Sequence, residues 1–414
     1  MNKQMSSIIK IGLAVFLSVI TCNISFAVTG TWNSAAVSSD FEDTANWVSG
    51  TKPANSTANS EVATFDGDAS TIINPNLTMD RSIGSINFNT TGWTLGGTNY
   101  TLTINNGIGI ANNASVTGTV NIETNINLGT GTGQQTFNAF NGTLYFSGSI
   151  IGTAGIFNRT GVMILSGNNS FAGGVTAGNL GIASATALGT GTFSVSRGTF
   201  DNASGGALTL TTNNNINFGN QAVNFVGTNS LVMGTGTAFL TGNNSVTVQN
   251  NKLTIGTLSA ATNTFTKAGA GTMVINRSIG TGSFVVSAGT LEIDSQLITL
   301  SGISSNKLNA TGTGVFKLGS LSFDLTNADL TNGNTWSIWG SATTNWDLSS
   351  FQLTGWSDSG GQWAMANGQG LWSFNQSTGI LSFSAIPEPS TWTLMGIGAG
   401  LLVWVGYRKR KANI

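Results

Sequence analysis

The apolar positions of this chain fall in short runs in which polar residues alternate with β-branched or aromatic residues. Such alternation, with a period of two, predicts β-strands, and the Gly and Asn residues around the runs accept the positive φ angles of turns. No sustained apolar spacing of 3.6 residues occurs between Val28 and Pro387, so we expect almost no helix there. Clear examples of the runs are Thr101–Ile104, Gly142–Phe146, Ser245–Val248 and Ser283–Val286.

The strand-like runs recur along the chain. The sequence FNRTG at Phe157–Gly161 returns about 110 residues later as FTKAG at Phe265–Gly269. AGNLGI at Ala177–Ile182 likewise returns as AGTLEI at Ala288–Ile293. Repeats of a strand and a Gly-Thr turn, each too small to bury its own apolar face, are typical of a solenoid, and this spacing fits five coils of about 22 residues.

A solenoid also accounts for the polar residues between the apolar ones. In stacked coils the inward side chains form columns of Val, Ile, Leu and Phe, while outward Thr, Ser and Asn side chains can bond along the ladder. Burial of roughly 1.5–3 kcal/mol per large apolar side chain, repeated in each coil, offsets the ordering cost without disulfides. No proline occurs between Asn76 and Ile386, which suits continuous pairing because proline lacks the amide donor.

One part of this body resembles a known repeat family. Within residues 161–195, the pieces LSGNNSF (Leu165–Phe171), GGVT (Gly173–Thr176) and ALGTGT (Ala187–Thr192) are similar to the autotransporter-associated β-strand repeat. Residues 265–293 resemble a degenerate second copy. The resemblance implies an all-β, right-handed parallel β-helix.

Tryptophan clusters flank the predicted solenoid, residues 76–334. Residues 28–75 and 335–385 together hold eight of the 11 tryptophans. Because the open ends of a solenoid must be covered against edge-to-edge pairing, we predict that both segments are β caps. Trp363 and Trp372, on Gly-rich strands of the C-terminal cap, are also candidates for stacking on sugar rings, although their alternation with Leu and Phe fits core packing.

Residues 1–27 have the layout of a secretory signal peptide. Two lysines precede the apolar core Ile11–Ile20, and small residues before the predicted cleavage point, Ala27, fit a signal peptidase. Cys22, the only cysteine, lies inside this segment. The mature chain would therefore contain no disulfide and no reactive thiol.

Residues 386–414 combine three features in a fixed order. Pro387, Glu388 and Pro389 come first, an uncharged apolar run follows at 391–407, and the basic cluster Arg408, Lys409, Arg410 and Lys411 comes last. As a helix the run would be about 25 Å long, the short end of a membrane crossing. The basic cluster would act as a stop-transfer signal that stays in the cytoplasm.

This order resembles the PEP-CTERM protein-sorting domain of Gram-negative bacteria. The resemblance implies recognition of Pro387, Glu388 and Pro389 by a membrane-embedded exosortase, removal of the transmembrane helix at 391–407, and release to the cell surface or the extracellular polysaccharide matrix. An ordinary C-terminal anchor and a buried globular helix are the alternatives for the apolar run.

Charge and composition narrow the classes of function. Only 7% of the residues are charged, against roughly 25% in ordinary soluble domains. Between Val28 and Ile386 the chain has 15 acidic and 9 basic residues, so the predicted exported body has a net charge near −6. This argues against a nucleic-acid partner, which needs clustered Lys and Arg.

Catalytic chemistry has few candidates. The chain has no histidine, which excludes histidine-based triads and acid–base pairs. Glu292 and Asp294 stand two apart on one predicted strand and so share a face, and Lys307 and Lys317 follow. Paired carboxylates near a basic residue could serve a polysaccharide lyase or hydrolase, or form a solvated face. We predict no metal site and no cofactor.

These observations predict an exported, non-enzymatic structural or adhesion protein of the cell surface or extracellular matrix. An exosortase would be a transient partner, the inner membrane would hold the chain before processing, and extracellular polysaccharide is a further candidate partner. Two alternatives stay open. One is a carbohydrate-binding adhesin that uses the Trp-rich C-terminal region, and the other is a polysaccharide-degrading enzyme on the same scaffold.

Overall fold

The chain divides into two compact units. A computed structural model describes residues 28–58, 61–104, 107–219, 222–261, 263–280, 283–305, 307–339, 345–386, 397–404 and 408. The first unit comprises Met1–Leu180 and Thr186–Gly191, and the second comprises Gly181–Ala185 and Thr192–Ile414. Both are built of short β-strands, which confirms the prediction of an all-β, parallel β-solenoid body.

The first unit is built from short strands and two 3-10 helices, Thr44–Asn46 and Val48–Gly50. Its strands are β1 (Thr29–Thr31), β2 (Val62–Phe65), β3 (Arg81–Ile83), β4 (Ser85–Phe88), β5 (Thr94–Leu95), β6 (Thr101–Ile104), β7 (Ile108–Asn112), β8 (Thr119–Ile122), β9 (Asn125–Asn127), β10 (Gln134–Asn138), β11 (Thr143–Phe146), β12 (Ile150–Ile151), β13 (Gly155–Asn158) and β14 (Val162–Leu165), and β15 (Val175–Ile182) begins in this unit.

These strands form three parallel stacks, so each coil has three sides. One stack runs β1-β2-β4-β7-β10-β13-β15, a second runs β5-β8-β11-β14, and a third runs β3-β6-β9-β12. Leu144 is paired with Met163, and Ile108 with Thr136, so from β2 onwards one coil takes 19 to 28 residues. The predicted coil length of about 22 residues falls in this range.

Alternation of side chains gives each coil its core. In β11 the side chains of Leu144 and Phe146 are buried, while Thr143 and Tyr145 between them are partly exposed. Because the strands are parallel and in register, equivalent inward residues lie above one another. The Phe65 and Phe88 rings, which are in register on β2 and β4 of successive coils, stack at 5.0 Å. The core is thus continuous along this unit rather than closed within one coil.

The second unit is also built from parallel stacks and ends in an antiparallel sheet. Its strands are β16 (Phe193–Asn202), β17 (Leu208–Thr209), β18 (Ile216–Phe218), β19 (Val223–Phe225), β20 (Leu231–Val232), β21 (Thr237–Leu240), β22 (Asn244–Val248), β23 (Lys252–Ala261), β24 (Thr264–Ala268), β25 (Thr272–Gly280), β26 (Ser283–Val286), β27 (Thr290–Gly302), β28 (Ser304–Ser305), β29 (Asn309–Thr311), β30 (Val315–Ala328), β31 (Thr335–Ser337), β32 (Asn345–Asp347), β33 (Gln352–Leu353), β34 (Ser357–Asp358), β35 (Gln362–Asn367), β36 (Gly370–Asn375) and β37 (Ile380–Ala385).

In this unit some strands are long enough to form two consecutive sides of a coil. The first part of β23 pairs with β20 and its second part with β21, and β25, β27 and β30 stack on it in parallel. The other side is the parallel stack β16-β19-β22-β24-β26-β29. The last five-stranded sheet, ordered β31-β37-β36-β35-β34, is antiparallel throughout.

Buried asparagines join adjacent coils at the corners. Asn169 accepts a hydrogen bond from the Ile150 amide at 2.8 Å and donates to the Ala187 carbonyl at 2.8 Å. Asn202 donates to the Ser230 carbonyl of the following coil at 2.7 Å. A buried carbonyl left without a donor costs about 1–3 kcal/mol, so these amides satisfy the backbone where the strand ladders are interrupted. Asparagine thus holds the coils together largely through main-chain partners.

Parallel pairing extends into both segments predicted to be caps. β1 and β2 already belong to the first stack, and β32 and β33 pair with β30. A cap-like arrangement is clearest in the aromatic cluster of Trp32, Phe41 and Trp47, which covers the apolar surface beside β2. All three side chains are at most 1% exposed.

Candidate functional site

The predicted sorting signal begins directly after the folded body. The last strand, β37, ends at Ala385, whose amide donates to Asn332 Oδ1 at 3.1 Å. Ile386 is 55% exposed, and Pro387, Glu388 and Pro389 lie outside the described residues. An enzyme that binds these three residues must therefore work within about two residues of an ordered sheet.

The described part of the apolar run is helical and exposed. Residues 397–404 form an α-helix, in which Leu402 is 77% and Val403 74% exposed. The Arg408 guanidinium lies over the Trp404 ring, 4.3 Å from its centroid. Lys409, Arg410 and Lys411 lie outside the described residues, as does Ala27 at the predicted signal-peptide cleavage point.

Within the described residues, no helix is both long enough and apolar enough to cross a membrane. Much of the predicted span, residues 391–407, lies outside that part of the chain. The transmembrane helix stays a prediction.

The two tryptophans proposed for sugar stacking are core residues. Trp372 is fully buried and packs against Trp336 at 5.3 Å and Phe383 at 4.8 Å. Trp363 is 8% exposed, packs edge-on against Phe351, and donates from Nε1 to Gln376 Oε1 at 3.1 Å. Neither ring presents a free face, so the structure contradicts their use as a sugar platform.

The physical reason lies in the antiparallel sheet. Trp372 is paired with Met365 and with Phe383, in the middle strand of three. Its side chain therefore points to the same face of the sheet as Trp336 of β31, which it contacts and which is also buried. Large apolar side chains at alternate positions fill that face, as expected of a half-buried sheet.

The structure brings together part of the predicted carboxylate site. Glu292, Lys317 and Asp347 are in register on three neighbouring strands, and Lys317 Nζ lies 3.0 Å from Glu292 Oε1. The hydrogen bond to Glu292, with the charges of Glu292, Asp347 and Asp294, raises the pKa of Lys317. Burial and the Glu292 charge raise the pKa of Asp294, while Lys317 and Lys252 oppose this shift.

This arrangement is a ladder of alternating charges. The positive charge of Lys317 is balanced by the Glu292 carboxylate in an ion pair. Lys307 is exposed and forms no ion pair with another described residue. No cluster of three metal-binding side chains occurs in the described ranges. A partly exposed ion pair of this kind is typical of a solvated face. The structure thus joins Glu292 to Lys317 and leaves Lys307 apart.

Glu42, near the start of the body, forms ion pairs with two basic side chains. The Glu42 carboxylate accepts hydrogen bonds from Lys52 Nζ and from Arg81 Nη1, each at 2.7 Å. Arg81 is only 3% exposed, and its guanidinium lies 4.8 Å from the Phe41 ring centroid. Arg81 is not among the site residues predicted from the sequence. The available signal was a basic residue at an inward position of the alternating run Arg81–Ile83.

Comparison with known families supports one feature of the chain. Residues 385–411 match the model of the PEP-CTERM protein-sorting motif. No significant match was found among curated proteins or solved structures. The motif implies recognition by an exosortase and an extracellular or cell-surface destination. The resemblance of the body to autotransporter-associated repeats stays a prediction.

Proposed function

We propose that this chain is a non-enzymatic structural protein of the cell surface or extracellular matrix, in which a β-solenoid body is delivered by exosortase sorting. The observation that carries the proposal is the PEP-CTERM match at residues 385–411, directly behind the last strand of the body. Residues 391–407 would anchor the chain in the inner membrane until an exosortase acts. Extracellular polysaccharide would then be its surroundings.

The interactions that stabilise the body are compatible with an extracellular environment. Its coils bury long apolar columns and satisfy corner carbonyls with asparagine amides, so it depends neither on disulfides nor on many charges. Interactions of this kind are insensitive to ionic strength, because salt screens charge pairs and leaves apolar burial intact. The solenoid can therefore keep its form in media of variable salt content.

The sorting signal is tested by substituting Glu388 and Pro389. In cells that contain an exosortase, the double variant Glu388→Ala, Pro389→Ala should accumulate in the inner membrane, while the wild-type chain leaves it. Loss of the recognised residues should block processing, because the remaining apolar run still anchors the chain. Cell fractionation followed by immunoblotting measures the distribution.

The neighbouring double substitution Ser390→Ala, Thr391→Ala is the control and should be processed as wild type. Equal distribution of the wild-type chain and the Glu388/Pro389 variant, in the membrane or outside it, would show that the motif is not a processing signal. A fall in the amount of both double variants would indicate a general export defect. Pulse-chase labelling of the precursor separates these two results.

The absence of enzymatic activity has its own test. The purified full-length chain should not depolymerise polygalacturonate or alginate, followed as unsaturated products at 235 nm for a lyase and as new reducing ends for a hydrolase. The reason is that Lys317, the basic residue nearest to the carboxylates, is held by Glu292 at 3.0 Å. The structural proposal would be replaced by an enzymatic one if the wild-type chain degraded either polymer, if Glu292→Gln lost this activity, and if Lys307→Met kept it.

A further inference from the structure

An uncharged groove opens on one side of the first unit. It has a volume of about 420 Å³, within the range of small-molecule sites in proteins. Its lining consists only of Asn, Thr, Ala and Phe residues, with no charged side chain among them. The lining includes Asn87, Asn89, Ala111, Asn112, Asn113 and Phe140.

The groove results from one small residue in an outward column. Thr64 pairs with Asn87, Asn87 with Ala111, and Ala111 with Asn138 on four successive strands of the first stack. Three of these positions carry polar side chains of similar reach, but Ala111 ends at Cβ. A depression therefore lies between the Asn87 and Asn138 levels.

Amide groups surround the depression. Asn113 Nδ2 donates to Asn89 Oδ1 at 3.4 Å along the corner of the coils, and both side chains remain accessible. Asn112 is 1% exposed, and its Oδ1 is a buried acceptor with no hydrogen-bond partner among the described residues. The accessible Asn87, Asn89 and Asn113 amides each carry both a donor and an acceptor group. The set matches a ligand that carries many hydroxyl groups and no net charge.

An exposed aromatic ring stands at the rim. Phe140 is 38% exposed and has a φ of 48°, a left-handed conformation that is uncommon for bulky residues. Asn138 Oδ1 holds this turn, because it accepts from the Phe140 amide at 3.2 Å and from Thr160 Oγ1 at 2.6 Å. Glycine would adopt the same backbone more easily, so the ring is retained at some conformational cost.

We propose that this groove binds a neutral saccharide. The Asn87, Asn89 and Asn113 amides would bond to sugar hydroxyls, and the Phe140 ring would pack against the apolar face of a sugar ring. The uncharged lining disfavours acidic sugars, because a carboxylate would lose hydration without gaining a cationic partner. The proposal goes beyond the proposed structural role and does not depend on the sorting route.

Binding is tested with the purified full-length chain in mild detergent. The probes are cellohexaose, mannohexaose and maltohexaose as neutral oligosaccharides, and hexagalacturonate as an acidic one of the same length. Isothermal titration calorimetry should show binding of at least one neutral probe and none of hexagalacturonate. Phe140→Gly, which removes the ring and suits the backbone, should weaken that binding at least tenfold. Ala111→Gln, which fills the depression, should abolish it.

The control is Phe239→Ala, which removes another exposed phenylalanine from the second unit and should leave the affinity unchanged. Circular dichroism and thermal unfolding of each variant establish that the fold is intact. No binding of any neutral probe, unchanged affinity in the folded Phe140→Gly and Ala111→Gln variants, or a preference for hexagalacturonate would overturn the proposal. Cell fractionation of Phe140→Gly should match wild type, so failure here is distinguishable from failure of sorting.

Discussion

Trp47→Ala is expected to lower the free energy of unfolding of the N-terminal coils by about 3–5 kcal/mol, the usual effect of truncating a large buried aromatic residue. Trp47 is 1% exposed and packs against Phe41 at 4.8 Å and Trp32 at 5.2 Å. Its Nε1 also donates to the Phe41 carbonyl at 2.9 Å, which would lose its donor. Urea unfolding followed by circular dichroism measures the change.

The effect should be confined to one end of the body. In a solenoid each coil contacts only its neighbours, so the loss of a terminal cluster frees the coils beside it first. Amide exchange should therefore accelerate in β1 and β2, while β11 and β14 keep their protection.

Val48→Ala is the matched control, since Val48 follows Trp47 in the chain but is 46% exposed. Its effect should stay within about 0.5 kcal/mol. Trp47→Phe should lie between the two, because it keeps an aromatic ring but loses the Nε1 hydrogen bond. If Trp47→Ala unfolded at the wild-type urea concentration and kept protection in β1, the aromatic cluster would not be a stabilising cap.

Raising the pH from 7 to 10 is expected to stabilise the second unit by roughly 2–3 kcal/mol through one buried lysine. Lys267 is fully buried, in register with Val246 and Val286, and its Nζ donates to the carbonyls of Gly269 and Ala288 at 2.6 and 3.0 Å. Burial lowers the pKa of Lys267 from the ordinary lysine value of 10.5 to about 8.

The direction follows from proton binding in the two states. Below pH 8 the lysine is charged in both states, and the folded state bears the full cost of a buried charge. Between pH 8 and 10.5 the folded state releases its proton while the unfolded state keeps it, so stability rises with pH. Above 10.5 both states are neutral and the penalty is absent.

Lys267→Met isolates this contribution. Urea unfolding between pH 7 and pH 10 should show the rise in wild type and in Lys307→Met, which removes an exposed lysine, but not in Lys267→Met. At pH 7 Lys267→Met removes the cost of the buried charge but also the donor of the Gly269 and Ala288 carbonyls, so its stability should lie near that of wild type. A pH-dependent rise of the same size in Lys267→Met would contradict this role of Lys267.

Local patterns in the sequence were sufficient for the strands. Thr101–Ile104 and Ser283–Val286 were predicted at the bounds that the structure shows, and Gly142–Phe146 differs by one residue. These runs carry their own alternation and their own turn residues, so they can be located without knowledge of the strands that pair with them. The C-terminal motif was also recognisable from residue order, since recognition of a linear signal needs no tertiary context.

For residues whose burial or partner the local sequence does not indicate, only the tertiary structure decided where the side chain lies. Trp372 could be exposed or buried with the same neighbours in sequence, and only the pairing of the antiparallel sheet, which sets it beside Trp336 on the buried face, placed it in the core. Glu292 forms an ion pair with Lys317 because strands that are distant in sequence stack in register. The Asn-lined groove depends on Ala111 lying between Asn87 and Asn138, which belong to different coils. The sequence therefore determined the strands, the repeat and the sorting signal, because these depend on neighbouring residues. Only the tertiary structure decides which coils are neighbours. The burial of Trp363, Trp372 and Lys267 and the shape of the groove depend on those neighbours, because distant residues supply the contacts.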